Sequence, residues 1–165
     1  MQFLSSEAQT TPGGLLLALV VLLPFIGLLI GFALGAANTR RVAVATMILG
    51  LGLAIAIAFS LLHTDASLIY LLGGWAPPLG VALRADGIAV AMLLTVAVVV
   101  CGIGIYASAD FAMPSGAPEA RAPFAFWLLL LAVWGSLNLV FVSVDLFTLY
   151  VALELLTFSG VPLVC

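Results

Sequence analysis

Glu154 is the residue of this chain best placed to do chemistry. It lies in the stretch S-V-D-L-F-T-L-Y-V-A-L-E-L-L-T-F-S-G-V-P-L-V-C, residues 143–165. That stretch is long enough to cross a bilayer as a helix, which takes roughly 20 residues at about 1.5 Å each. A carboxylate at such depth costs about 2.5 kcal/mol or more on insertion scales, so it must be protonated, hydrated or paired. The chain has no lysine to pair with it; its four basic residues are Arg40, Arg41, Arg84 and Arg121. On a helix, Glu154 shares a face with Tyr150, Val151, Thr157 and Phe158, and the Tyr150 and Thr157 hydroxyls are within reach of a carboxyl group. Two uses of the acid follow. It can be a neutral, hydrogen-bonded packing element, or it can titrate against a cation brought by another helix and so take up and release a proton. Pro162 cannot donate back to the carbonyl of Phe158, and a loosened turn there would give water a way in. Asp145 opens the same stretch and is the second candidate acid.

The remaining reactive side chains point elsewhere. His63 follows an apolar run and reads as an interfacial histidine. Cys101 lies within an apolar run and Cys165 at the last position, with no metal-ligand spacing, so both read as small apolar side chains. There is no nucleophile–base pair, metal cluster or phosphate loop, so no cofactor or metal is expected, and transport is a better reading than enzymatic turnover.

The elements that must position Glu154 are set by composition. With 65% apolar and 7% charged residues, the chain falls among all-α polytopic membrane proteins rather than soluble domains. Its scattered arginines and mildly acidic balance exclude nucleic acid as a partner. Residues 1–14 contain Glu7 and no basic residue, and the apolar run after them is too long for a secretory signal, so it reads as a retained span.

Five spans are expected, at about 15–37, 42–62, 87–106, 124–142 and 145–165, within a membrane domain covering residues 1–165. Pro24 interrupts the first, leaving backbone groups that neighbouring helices must satisfy. Gly27, Gly31 and Gly35 line one face of it for close packing, and Asn38-Thr39-Arg40-Arg41 reads as the turn that ends it. Residues 63–86 form the longest non-spanning stretch. Gly73-Gly74 and Pro77-Pro78 forbid a continuous helix there, while Tyr70 and Trp75 suit the headgroup zone. It reads as a surface brace, a short hairpin among the possibilities, with Arg84 and Asp86 as an exposed pair of small energetic value. Residues 107–123 are a polar inner loop. Phe126 and Trp127 read as an interfacial anchor for the fourth span, and Ser136 and Asn138 as its interhelical hydrogen-bonding positions.

Arg40, Arg41 and Arg121 fall on one side and Arg84 on the other, so the positive-inside rule puts the N-terminus outside. Asp145 is then at the outer surface and Glu154 about 13 Å deeper, near the midplane.

The segment D-L-F-T-L-Y-V-A-L-E-L-L (145–156) resembles the fifth-helix motif of the antiporter-like family. That family comprises the D-type subunits of Mrp cation/proton antiporters, the large proton-pumping membrane subunits of respiratory complex I and related hydrogenase subunits. The segment G-G-W-A-P-P-L-G-V-A-L-R-A-D (73–86), followed by a third span, is similar to the Mrp D-like branch. The resemblance implies that Glu154 corresponds to the family's fifth-helix glutamate, which pairs with a lysine on the seventh helix in proton transfer. Asp145 matches the acid that opens that helix, a proton-path or structural group on the outer side. It further implies a multi-pass protein of the bacterial cytoplasmic membrane, with other membrane subunits, protons and monovalent cations as partners. Family members have about fourteen spans, with inverted repeats and central lysines; five spans correspond to an N-terminal portion, and a truncated or split product is expected. The implied activity is cation/proton exchange. The alternatives are proton pumping in a complex I-like (NADH–quinone oxidoreductase-like) or hydrogenase-like assembly, and a structural membrane subunit without transport.

Overall fold

Long apolar runs in lipid have one economical backbone solution, the helix, because every N–H and C=O must be satisfied within the segment. The computed structural model describes residues 10–11, 13–64, 67–74, 80–111 and 121–164. It contains helices α1 (Leu15–Leu34), α2 (Ala36–Thr64), α3 (Gly87–Asp110), α4 (Arg121–Val142) and α5 (Leu146–Val164). All five are long and apolar enough to cross a membrane, with mean hydropathy falling from 2.9 in α1 to 1.7 in α5. Over the described residues the molecule is a multi-pass, predominantly helical membrane fold with one small hairpin. Trp75, Pro77-Pro78, most of the inner loop and Cys165 lie outside the described residues.

Helices α1, α2 and α4 pack on one another, α3 packs on α2 and α4, and α5 packs on α4. Two apolar clusters fill the bundle. One, near the hairpin, gathers Leu17, Val20, Ile57, Leu68, Leu83, Leu93 and Val142. The other gathers Ala43, Met47, Ala97, Val100, Trp127, Leu131 and Trp134. Small residues let the backbones approach: a Cβ on Gly27 would strike Thr46 of α2, and one on Gly50 of α2 would strike the Trp134 ring. Close van der Waals contact of this kind is what holds helices together where lipid is as apolar as leucine.

Between α2 and α3, strands β1 (Leu68–Leu71) and β2 (Ala82–Ala85) pair antiparallel, with Leu68 opposite Ala85 and Leu71 opposite Ala82. The hairpin is tied at both sides. Thr11 donates its N–H to the Ile69 carbonyl at 3.0 Å and accepts the Ile69 N–H on its hydroxyl at 2.9 Å. Leu83 bridges to Ser143, just before α5. The brace therefore joins the start of α1 to the α4–α5 corner.

Several expectations are corrected. The α1–α2 break falls at Gly35, not at residues 38–41, which lie inside α2. Gly35 adopts φ 76°, a conformation open to glycine, and Thr39 holds the junction by donating its hydroxyl to the Gly35 carbonyl at 2.7 Å. Helix α3 continues to Asp110, and α4 starts at Arg121, which puts Pro123 in the first turn, where its missing N–H costs nothing. Trp127 is not an interfacial anchor. It is 2% exposed and packs in the second cluster, with Gly104 of α3 beside its ring.

Candidate functional site

Helix α5 begins where Asp145 caps it. Asp145 Oδ1 accepts the Thr148 N–H at 2.8 Å and Oδ2 accepts the Thr148 hydroxyl at 2.7 Å, which satisfies an N–H the first turn would otherwise leave free. Burial pushes the carboxyl up. The hydrogen bonds from the Thr148 N–H and hydroxyl, with those from its own N–H and that of Phe147, outweigh burial and hold the group below the ordinary aspartate range. Asp86 does the same at the start of α3, accepting the Ala89 N–H at 2.9 Å. That carboxylate is engaged by backbone, so the expected pairing with Arg84 is not its role in the fold.

From that cap, α5 presents Thr148, Ala152 and Ser159 as its buried residues. Glu154 is about 200° round the helix from Ala152 at 3.6 residues per turn, and it is exposed. Tyr150, one turn earlier, donates its phenolic hydrogen to Glu154 Oε1. Thr157, the other expected partner, instead donates to the Leu153 carbonyl at 2.9 Å, a common habit of threonine inside helices. Leu153, Leu155 and Phe158 surround the acid in a shallow apolar groove on the outer side of α5. Glu154 and Asp145 are thus on one helix but do not meet. One is a cap at the helix start; the other is a hydrogen-bonded acid on a face that none of the other described helices covers.

The polar positions of α4 divide as well. Asn138 makes the interhelical bond, donating from Nδ2 to the Val20 carbonyl at 2.9 Å. Ser136 donates within its own helix, to Ala132 at 2.8 Å. Val20 is four residues before Pro24, so its carbonyl is the one the proline leaves without a helical donor. A neighbouring helix supplies the missing hydrogen bond, as the sequence requires. His63 is exposed at the end of α2, and Cys101 is half-buried, with its thiol directed at the Met47 carbonyl at 3.7 Å.

Comparison with known proteins adds the fold. No family model matches the chain, and no curated protein does. Among solved structures it is similar to a chain of the membrane-bound sulfane sulfur reductase, an archaeal respiratory membrane complex. The TM-score is 0.73 with 22% identity, over 87% of this chain and 29% of that one. What the two share is the fold. This chain spans less than a third of its neighbour's length.

Among the described residues no group of His, Cys, Asp and Glu is arranged to hold a metal ion. The chemistry that Glu154 itself offers is proton exchange and hydrogen bonding.

Proposed function

We propose that this chain forms the N-terminal part of a proton-translocating, antiporter-like membrane subunit, with Glu154 as one station of its proton path. The observation that carries the reading is the placement of Glu154. Among the described residues, this acid in the interior of a membrane-length helix is turned away from the bundle, hydrogen-bonded by Tyr150, with apolar side chains around it. Facing lipid, such an acid is a pure cost. Facing a further helix that brings a base, it becomes a site where a proton is held and passed on. The solved neighbour is a much longer chain of a respiratory membrane complex, which agrees with further helices lying beside α5.

In this reading the Tyr150 hydroxyl orients the carboxyl, and its protonation state follows the charge of the base opposite. Cation/proton exchange in an Mrp-type complex, with other membrane subunits and with Asp145 fixing the outer end of α5, is the use that the two sequence motifs favour. The solved neighbour, being respiratory, favours the second use, ion pumping in a complex I-like assembly. Both employ the same acid.

Glu154→Gln in the native complex keeps the size and the hydrogen bond and removes the titration. The complex should assemble normally while proton flux in membrane vesicles falls by about a hundredfold, the scale of a lost proton-transfer group. Unchanged flux with normal assembly would instead assign this chain a structural role.

A further inference from the structure

Two buried polar atoms in the bundle core have no partner among the described residues: Trp134 Nε1, a donor, and Asn138 Oδ1, an acceptor. Both residues are essentially inaccessible, at 1% and 0% exposure. They are one turn apart on α4, and helical side chains lean toward the N-terminus, so the Asn138 amide tilts over the turn that carries Trp134. The Trp134 ring is seated against Gly50 of α2, and the Asn138 amide reaches Val20 of α1. The two unmet atoms thus belong to side chains on one face of α4, at its junction with α1 and α2. Turning the Asn138 amide over would not help, because Oδ1 would then oppose the Val20 carbonyl and the proline-freed acceptor would lose its donor. The amide orientation is fixed, and among the described residues the acceptor stays unmet.

We propose that this junction is a binding site for one internal water molecule, which accepts from Trp134 Nε1 and donates to Asn138 Oδ1. A single water meets one donor and one acceptor at once. The Val20 carbonyl keeps a second lone pair and is assigned as the third partner that a buried water usually has. The helix break at Pro24, the amide that repairs it and the water would then form one polar unit within an otherwise apolar bundle.

The test is NMR of the full chain in lipid nanodiscs with deuterated lipids and ¹⁵N-indole-labelled tryptophan. The Trp134 indole signal is assigned by its disappearance in Trp134→Phe. The expected result is a cross-relaxation peak between the Trp134 Nε1–H and water, with the sign of a long-lived bound molecule. In Asn138→Leu the indole signal should stay dispersed and that peak should be lost. Absence of the water peak in the wild-type chain, or a peak with the sign of simple chemical exchange, would overturn the site. Persistence of the peak at full intensity in Asn138→Leu would overturn the bridge.

Discussion

Helices α1 and α5 each contain a proline, and the fold treats them in opposite ways. In α1, Pro24 is buried and the carbonyl it frees, on Val20, is taken up by Asn138 from α4. In α5, Pro162 is exposed, as is Phe158, whose carbonyl it frees. The best 18-residue window of α1 is 39% buried; that of α5 is 17% buried. One helix has its irregularity repaired by neighbours. The other carries an irregularity, an acid and an apolar face directed outward. The proline break of α1 is thus met inside the bundle, whereas among the described helices α5 packs chiefly on α4.

Undoing the repair should have the largest effect on this contrast. Asn138→Leu strands the Val20 carbonyl in the core and should destabilise the detergent-solubilised chain by about 1–3 kcal/mol in thermal or denaturant unfolding. Adding Pro24→Ala to that variant restores a backbone N–H opposite Val20 and should recover much of the loss. If the two substitutions are simply additive, the repair is not what Asn138 provides. A smaller effect is expected at the start of α5. Asp145→Ala removes the cap, at about 1 kcal/mol. Because the folded carboxyl is held below its ordinary range, the wild-type cap contributes fully above about pH 4. That contribution fades as the pH falls through the lowered folded value, so the acid-side loss of stability should be shallower in the variant. The smallest effect belongs to the open face. Phe158→Ala should change the stability of the chain alone by no more than about 0.5 kcal/mol. The same substitution should weaken the assembled complex, as judged by recovery of partner subunits on affinity purification.

Some of this is readable in the sequence, and the rest is hidden for physical reasons. Membrane-length apolar runs announce themselves, and a proline within one states in advance that a carbonyl needs an outside donor. The brace at residues 63–86 shows through its glycines and prolines. The α1–α2 break is easily misplaced because Asn38 looks like a breaker, yet a threonine bonded back to Gly35 lets the helix restart before it. Tryptophan misleads at Trp127, since an indole near a helix start suits an interface equally well; its burial in a cluster with Met47 of α2 and Val100 of α3 depends on packing between helices. The caps at Asp86 and Asp145 are present as an aspartate before an apolar run, but the charge of a carboxylate draws attention ahead of its lone pairs. For Glu154, the helical face is readable and so is Tyr150. The direction of that face relative to α4 depends on packing and is not.

The reading of α5 rests on Glu154 exchanging a proton with a base outside this chain. Difference infrared spectroscopy of the intact complex, comparing wild type with Glu154→Gln, isolates the carboxyl C=O stretch of this residue across a pH series. A band that appears and disappears reversibly, as the acid is protonated and ionised, is the expected result. A band of constant intensity over the whole range would show a permanently neutral acid used for packing, and a band absent throughout would show a fixed ion pair; either result contradicts proton exchange at this residue.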